Sequence, residues 1–417
     1  MAKGAGGLPG FRDFYPEEFA TRAFVLATWR EVARRFGFTE YDGPPLEPLE
    51  LYTKKSGEEI VGQLYNFVDK GGRDVALRPE MTPTFARMVG ARANALPKPI
   101  RWFSIPQLFR YERQQKGRLR EHFQLNVDIV GETDVTADAE LVAVAIECMR
   151  GFGLESSDVI ARVSDRRLLL AILEAIGVAP EQQGIALAVI DKLDRQPREV
   201  SVEKLQGAGV AARAVDRLLA FQQWDTTDAI RAVFPGNDGI GERLTNLDRY
   251  LEYCAALGVR DFVKLDLTIV RGLAYYTGIV FELFDAKGEF RAICGGGRYD
   301  NLLASLGGAD LPALGFGMGD VVLGELLKAR GIRPAPSARI DYWIAFEDSA
   351  ALPDAMRTAT ELRRRGNSAE YALRPMALRK QLEAAGKAGA PAAVILRADG
   401  QRVLRDLASG EEKPFTF

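Results

Sequence analysis

Apolar residues recur along this chain with two different periods, and each period predicts one type of element. Helical spacing predicts helices at 17–36, 137–151 and 165–176, and Gly37 follows the first where a helix commonly ends. Residues 178–250 have further helical patterns without strong strand signals. Alternating or short apolar runs predict strands at 65–68, 75–77, 123–130, 159–163, 262–267, 290–293 and 313–319. The chain is therefore expected to mix helices with strands.

The composition changes after residue 333. A proline-rich linker, Pro334 to Ser337, is followed by a strand and a helix pattern in alternation, at 340–346, 350–365, 368–373, 376–386 and 392–397. A last strand is expected within 406–417. This alternation predicts a small α/β domain.

A basic loop is predicted between a short apolar segment at Phe109 and the strand that begins at Phe123. The flanking runs suit two antiparallel strands, and the cations near the loop's Gly117 are Arg110, Arg113, Lys116, Arg118 and Arg120. Guanidinium groups bind phosphate oxygens through paired hydrogen bonds. The loop therefore fits a polyanion, such as nucleotide phosphates or an RNA backbone. A solvated hairpin tip is the alternative.

Gln124 and Asp128 lie four residues apart on the strand predicted at 123–130, so both side chains point to the same face. The opposite face has the apolar residues Phe123, Leu125, Val127 and Ile129. Polar side chains on the working face of a sheet suggest a binding pocket. An exposed sheet face would give the same alternation.

Glu80 and Thr82 directly follow the hairpin predicted from 65–68 and 75–77. A carboxylate and a hydroxyl are suitable acceptors for an α-ammonium group. The same stretch also suits the start of a helix, with Thr82 as the N-cap and Pro83 as the first helical residue. Both interpretations can hold together.

Two later stretches also indicate a site. Arg271 lies between Val270 and Gly272 in apolar and aromatic surroundings, and a buried guanidinium needs an anionic partner. That partner is either a protein carboxylate or a ligand. Three consecutive glycines, 295–297, follow the strand predicted at 290–293, and they permit either a tight turn or the close approach of a ligand.

The composition of the chain argues against several classes of functional site. The chain has 417 residues, of which 47% are hydrophobic and 27% charged, and its net charge is -2. It has no global bias towards nucleic acid, so RNA binding would need local basic patches. Three scattered cysteines and the single His122 argue against a disulfide framework, a zinc site and Cys/His catalysis. No apolar run suggests a membrane span or a signal peptide, so a cytoplasmic location is expected.

Five motifs together resemble those of histidyl-tRNA synthetases, a family of class II aminoacyl-tRNA synthetases. They are R-P-E-x-T at 78–82, F-R-x-E-R at 109–113, K-G-R at 116–118, R-G-L-x-Y-Y at 271–276 and G-G-G-R-Y-D at 295–300. The resemblance implies an α+β fold with an antiparallel sheet flanked by helices, a helical insertion, and a small C-terminal α/β domain like an anticodon-binding domain. The implied domains are a catalytic core in two parts, 1–164 and 251–333, the insertion at 165–250, and the C-terminal domain at 338–417.

The resemblance also implies a reaction, in which ATP activates histidine to histidyl-adenylate before transfer to the 3′ end of histidine tRNA. Magnesium would bridge the outer phosphates of ATP, and the first long helix with the following strand resembles the motif that builds a homodimer. The residues implied in histidine binding are Glu80, Thr82, Gln124, Asp128, Tyr275, Tyr276 and Gly296. Those implied in ATP binding are Arg110, Glu112, Arg118, His122, Phe123 and Arg271, of which Arg110 and Arg271 would be catalytic. Contacts to tRNA are implied for Gln115 and Arg120.

Three positions depart from the family's pattern. Asp128 replaces a frequent glutamate, Ala274 replaces a frequent acid, and Val322 replaces the arginine that stacks on adenine and touches the γ-phosphate. Either another cation, such as Arg118, supplies that charge, or ATP binds weakly or not at all. The alternative function is therefore a synthetase-like regulatory subunit of ATP phosphoribosyltransferase, which binds histidine without charging tRNA. A third possibility is an RNA-binding scaffold without catalysis.

Overall fold

A computed structural model describes residues 7–56, 58–112, 117–270, 276–334 and 340–417. Internal contacts divide the chain into two units, Met1–Arg333 and Pro334–Phe417. The finer division predicted within the first unit stays a prediction. Among the described residues, no single helix is long and apolar enough to cross a membrane, and one bent pair, Arg166–Ala175 with Pro180–Ile190, meets that test together.

The described residues form helices in both units. In chain order they are α1 (Pro16–Arg35), α2 (Glu50–Ser56), α3 (Thr82–Arg92), α4 (Thr136–Gly151), α5 (Arg166–Ala175), α6 (Pro180–Ile190), α7 (Arg198–Gly207), α8 (Ala212–Leu219), α9 (Thr227–Val233), α10 (Asp238–Ala256), α11 (Leu302–Ser305), α12 (Asp320–Ala329), α13 (Leu352–Arg364) and α14 (Leu378–Lys387). The predicted helices are therefore confirmed, including the helical character of 178–250.

The strands of the first unit are β1 (Thr39–Glu40), β2 (Leu46–Pro48), β3 (Asn66–Val68), β4 (Asp74–Leu77), β5 (Ile100–Ser104), β6 (Gln107–Phe109), β7 (Glu121–Val130), β8 (Val159–Asp165), β9 (Val263–Leu265), β10 (Ile279–Asp285), β11 (Cys294–Arg298) and β12 (Ala313–Gly319). Those of the second unit are β13 (Tyr342–Phe346), β14 (Ala369–Tyr371), β15 (Ala392–Leu396), β16 (Arg402–Asp406) and β17 (Glu412–Pro414). One strand prediction is wrong. The strand expected at 290–293 lies instead at Cys294–Arg298, so the three glycines belong to the strand itself.

A nine-stranded sheet organises the first unit. Its order is β1-β5-β7-β12-β11-β10-β8-β9, with β6 paired to β7. The central strands β7, β12, β11 and β10 pair antiparallel, as do β10 and β8. The hairpin predicted at 65–77 is confirmed as β3 and β4 of a separate three-stranded sheet. The α+β fold predicted from the sequence is confirmed.

The two faces of the nine-stranded sheet have different roles. Leu125, Val127 and Ile129 of β7 lie in the largest apolar core, together with residues from α4, α5 and α10. The other face is partly covered by a smaller apolar cluster that includes Phe85 and Val89 of α3. We call this second face the site face, because it bears Gln124 and Asp128.

The second unit is a five-stranded sheet of order β14-β13-β15-β16-β17. Strands β13, β14 and β15 pair in parallel, and β15, β16 and β17 pair antiparallel. Helices α13 and α14 bury Ala355, Ala359, Leu362 and Ala385 in the apolar core of this unit. The small α/β architecture expected here is confirmed, although the sequence analysis missed β16. The predicted linker overlaps 335–339, which lie outside the described residues.

A buried ion pair fixes α4 against β11. Arg298 is 5% exposed, and its Nη2 lies 2.5 Å from Oδ2 of Asp138. Arg298 also pairs with Asp300 at 3.3 Å and donates to the carbonyl oxygen of Glu132 at 2.8 Å. Burial raises the pKa of Asp138 to about 6, although the nearby Arg298 opposes that rise. The arginine of the G-G-G-R-Y-D motif therefore stabilises the fold.

Arg298→Met should reduce the free energy of unfolding by about 3–5 kcal/mol, because the variant leaves Asp138 buried without its cation. Arg34→Ala is the control, since Arg34 pairs with Glu31 in an exposed position and should cost about 1 kcal/mol or less. Urea unfolding of both variants measures the difference. Similar losses in the two variants would contradict a structural role for the Arg298 pair.

Candidate active site

The floor of the site face is formed by glycines that stand opposite polar residues. In the register of β7 and β12, Gly315 pairs with Asp128, Gly317 with Asn126 and Gly319 with Gln124. Directly paired residues of antiparallel strands point to the same face. A Cβ at Gly315 would overlap the Asp128 carboxylate, and one at Gly317 would overlap the Gln124 amide. The alternate glycines of β12 therefore leave the space that these two side chains occupy.

The glycines of β11 continue this floor. Gly295 pairs with Gly317, and Gly297 pairs with Gly315, so both lie on the site face. Gly296 pairs with Phe316, and a Cβ there would overlap Phe316 on the core side. The structure therefore brings Gly295 and Gly297, rather than the predicted Gly296, to the face that bears Asp128.

Asp128 is buried, with 6% of its surface exposed, and it accepts a hydrogen bond from the hydroxyl of Tyr299. Burial raises the pKa of Asp128 to about 7, while the Tyr299 hydrogen bond lowers it. Tyr299 lies in the same apolar cluster as Tyr276 and as Phe85 of α3. Sequence analysis did not single out Tyr299 as a partner of Asp128, although it belongs to the G-G-G-R-Y-D motif.

Glu80 and Thr82 lie at the start of α3, which packs on the site face through Phe85 and Val89. The helix begins at Thr82, with Met81 in the cap position, so the expectation that Thr82 caps this helix is wrong. Arg110 donates from Nε to the carbonyl oxygen of Pro79 at 3.0 Å. The R-P-E segment is therefore joined directly to the basic motif.

A cavity of about 230 Å³ opens beside the start of β7. We call it the smaller cavity, because a second cavity of about 740 Å³ adjoins it. Its lining includes Arg110, Glu112, Arg118, His122 and Val322, together with Gly295, Gly317 and Gly319 of the glycine floor. The residues implied in ATP binding and those implied in histidine binding are therefore adjacent, because His122 of the first set and Gln124 and Asp128 of the second follow one another on one face of β7.

Charges in the smaller cavity are partly paired. Glu112 lies 3.1 Å from Nη1 of Arg118 and 3.9 Å from Nη1 of Arg110. Burial lowers the pKa of His122 to about 4, and the positive charge of Arg110 adds to this effect. His122 is therefore a neutral imidazole at neutral pH, and its ring forms part of an otherwise basic wall.

Neither Phe123 nor Arg120 belongs to the lining of this cavity. The Phe123 ring contacts Phe14 edge to face at 6.4 Å between centroids, and the guanidinium of Arg22 lies 4.8 Å from the Phe123 centroid. Arg120 stacks 4.3 Å from the centroid of Tyr111. Of the two rings implied in ATP binding, His122 and Phe123, the structure places His122 in the cavity wall.

Arg12, which sequence analysis did not select, joins three parts of the site. Its Nε lies 2.6 Å from Glu121 at the start of β7, and its Nη1 lies 2.9 Å from Asp320 at the start of α12. Asp320 also accepts a hydrogen bond from the main-chain N–H of Phe123 at 2.9 Å. Residues 7–14, which precede α1 and which we call the entry segment, therefore fix the start of β7 against α12. The stretch P-G-F-R-D-F at 9–14 was the sequence signal that could have pointed to Arg12.

Arg271, Tyr275 and Gln115 lie outside the described residues, as do Arg113, Lys116 and Ala274. Their roles stay predictions from the sequence. Among the described residues, no group of three or more His, Cys, Asp or Glu side chains could hold a metal ion.

Gly317→Ala should displace the end of the Gln124 side chain and thereby weaken histidine binding about tenfold or more, as expected for losing a hydrogen bond to a charged group. Gly324→Ala on α12 is the matched control, because a Cβ at Gly324 meets nothing within 4 Å. Calorimetric titration with histidine measures both variants. Equal affinities would show that Gln124 is not part of the ligand site.

Asp128→Asn should change how stability depends on pH. Because the pKa of Asp128 is raised to about 7, the folded protein holds a proton there between about pH 4 and 7 that the unfolded chain releases. Raising the pH through this window lowers the free energy of unfolding, and the variant lacks this loss. Urea unfolding measures this effect: the free energy of unfolding of the variant, compared with that of the wild type at the same pH, should rise between about pH 5 and about pH 7.5. An unchanged difference would contradict the raised pKa.

Comparisons with known proteins show which family this chain resembles. A family model described as histidyl-tRNA synthetase matches residues 10–319. A histidine–tRNA ligase of Opitutus terrae is 46% identical over 395 residues, which are 94% of this chain and 90% of the relative. The chloroplastic/mitochondrial histidine–tRNA ligase of Arabidopsis thaliana is 38% identical, with 97% of this chain and 83% of the relative covered.

Solved structures show the same fold. The histidyl-tRNA synthetase from Nostoc sp. PCC 7120 matches with a TM-score of 0.84 at 24% identity, covering 99% of this chain and 97% of that chain. A Bacillus halodurans protein described as an ATP phosphoribosyltransferase regulatory subunit/histidyl-tRNA synthetase matches with a TM-score of 0.77 at 21% identity, covering 95% and 100%. These identities establish the fold alone. The family match and the close relatives together establish that this chain belongs to the histidyl-tRNA synthetase family.

Proposed function

We propose that this chain is a histidine–tRNA ligase, which activates histidine with ATP and transfers it to the 3′ end of histidine tRNA. The main structural support is the arrangement on β7, where His122 lines a basic cavity and Gln124 and Asp128 continue along the same face. A nucleotide and an amino acid bound there would meet end to end. Relatives that are 38–46% identical over most of the chain have the name of this enzyme.

Histidine would bind over the glycine floor. Glu80, Thr82 and Gln124 offer acceptors for the α-ammonium group, and Asp128 offers one for an imidazole N–H. Tyr276 would contact the other ring nitrogen, while Tyr299 holds the Asp128 carboxylate in place. The buried Asp128 would interact strongly with a bound imidazole, because few competing waters reach it.

ATP would occupy the smaller cavity. Its adenine would lie against the neutral ring of His122, and its phosphates would lie near Arg110 and Arg118. Glu112 keeps these two guanidinium groups close together. Magnesium would arrive with the nucleotide and supply positive charge at the outer phosphates. Carboxylate oxygens suit this ion, and Glu112 is the acidic side chain in the cavity wall.

The first chemical step would be an in-line displacement at the α-phosphorus. A carboxylate oxygen of histidine forms the new bond to phosphorus, and the bond to the bridging oxygen breaks, so that pyrophosphate leaves with its electron pair. Arg110, whose Nε is fixed by the carbonyl oxygen of Pro79, would stabilise the charge on the non-bridging oxygens. Arg271 would also hold the α-phosphate, as its motif implies.

We also propose the remaining features that the family implies. These are a homodimer formed through the motif that contains α1, a cytoplasmic location, and recognition of the tRNA anticodon by the C-terminal unit. Gln115 and Arg120 are proposed to contact the tRNA acceptor end. For Arg120, the support is its position beside the basic loop.

Histidine-dependent exchange of labelled pyrophosphate into ATP tests the proposed function. The wild type should catalyse exchange, whereas Arg110→Ala and Arg271→Ala should lose about 100-fold or more, because each removes charge stabilisation from the transition state. Arg379→Ala is a control, since Arg379 pairs with Glu383 on an exposed surface of α14 and belongs neither to the proposed dimer motif nor to the described lining of the smaller cavity. Histidine binding without any exchange by the wild type would reject the ligase and favour a regulatory histidine-binding protein.

A further inference from the structure

Counted over the described residues that line it, the smaller cavity has little net positive charge for a triphosphate. Arg110 and Arg118 share the single carboxylate of Glu112, at 3.9 and 3.1 Å. The uncharged Val322 occupies the α12 side of this wall. Two guanidinium groups and one carboxylate leave about one positive charge against a ligand with several negative charges. Val321 and Val322, the described α12 residues in this wall, are uncharged, so a protein cation that meets the outer phosphates on this side must come from another element.

Arg291 lies beside this wall. A Cβ at Gly117 would lie 3.3 Å from Cγ2 of Val322 and 4.0 Å from Cδ of Arg291, so both side chains flank the same loop glycine. Arg291, Arg118 and Val322 also line a second cavity of about 740 Å³, the larger cavity. Because Gly117, Arg118, Ala292 and Val322 line both cavities, the two cavities adjoin.

The segment before β11 runs beside the end of β12. Cys294 pairs with Met318, and the N–H of Gly319 donates to the carbonyl oxygen of Ile293 at 3.4 Å. Arg291 lies two residues before Ile293, and Val322 lies three residues after Gly319, in the first turn of α12. The side chains of Arg291 and Val322 border the same space, because each has an atom within 4.0 Å of the position that a Cβ at Gly117 would take.

Arg291 is available to bind a ligand. It is exposed, and within the described part of the chain no ion pair involves it. Two other charged groups that line the larger cavity are engaged: Glu289 lies 3.7 Å from Arg330, and Arg162 lies 3.5 Å from both Asp194 and Asp266. A ligand phosphate would therefore meet Arg291 without first breaking a protein ion pair.

We propose that Arg291 and Arg118 together bind the outer phosphates of ATP, so that a cation from the segment before β11 supplies the charge that Val322 on α12 lacks. A guanidinium group suits this role because it can donate two parallel hydrogen bonds to phosphate oxygens. The inference rests on the proposed function in one respect, the placement of ATP in the smaller cavity. Under this proposal, Arg291 is a substrate-binding residue.

Equilibrium binding of ATP and AMP to the full-length protein tests this assignment, because AMP lacks the outer phosphates. Arg291→Ala should weaken ATP binding roughly ten- to hundredfold and leave AMP binding nearly unchanged, as expected for losing a charge-assisted contact. Arg291→Lys should restore part of the loss, since lysine keeps the charge without the planar fork. In exchange assays, the KM for ATP should rise while the KM for histidine stays constant.

Arg195→Ala is the matched control. Arg195 is also an exposed arginine lining the larger cavity, but it does not lie beside Gly117 and Val322 as Arg291 does. The proposal is overturned if Arg291→Ala leaves ATP binding intact, weakens AMP equally, or matches Arg195→Ala. An unchanged thermal midpoint for Arg291→Ala would support a local effect, and a lowered midpoint with equal loss of both nucleotides would overturn it.

The proposed ligase function and the proposed role of Arg291 can fail independently, and the experiments distinguish the two failures. A wild type that binds ATP more tightly than AMP through Arg291, yet catalyses no histidine-dependent exchange, would retain this phosphate site and reject the ligase. A wild type that catalyses exchange, with an Arg291→Ala variant of unchanged KM for ATP, would retain the ligase and reject the role of Arg291.

Discussion

The pairing of β7 with β12 is the constraint on which the rest of the site depends. It sets Gln124 and Asp128 opposite Gly319 and Gly315, so that the sheet has room for polar side chains on one face. The same register packs Leu125 and Val127 against Met318 and Phe316 in the core on the other face. A shift by one residue would bury the polar set in the core and expose the apolar set. The stability of the core therefore fixes the geometry of the site.

Periodicity made much of this predictable from the sequence. The period of two correctly placed Gln124 and Asp128 on one face, and helical spacing correctly placed α1 and α4. Strand β11, which contains the three glycines, was missed because glycine has no side chain to give a strand signal. Pairing with β10 and β12 is what holds this strand extended. Thr82 was misplaced as a cap because propensity does not fix the first helical residue.

Contacts between distant parts of the sequence were beyond prediction from pattern. Tyr299 donates to Asp128 across 171 positions, and Arg12 reaches Asp320 from the entry segment. The neighbourhood of Arg291 likewise depends on how the segment before β11 runs beside α12. Such contacts are set by tertiary packing, whereas the spacing of residues reports only on each element's own faces. The loss of an arginine at 322 was visible in the sequence, but the position of a substitute cation was not.

The glycine floor has a consequence for how the site discriminates among ligands. Main chain held in a hydrogen-bonded sheet has no rotamers to select, so a ligand lying on it orders few protein groups and loses little affinity to conformational entropy. The shape of the pocket is thus set by rigid backbone, and its chemical preference by the few side chains of β7 and their partners. A larger residue at Gly315 or Gly317 would collide with the side chain of Asp128 or Gln124, so a change of ligand is more readily reached through the side chains around the floor.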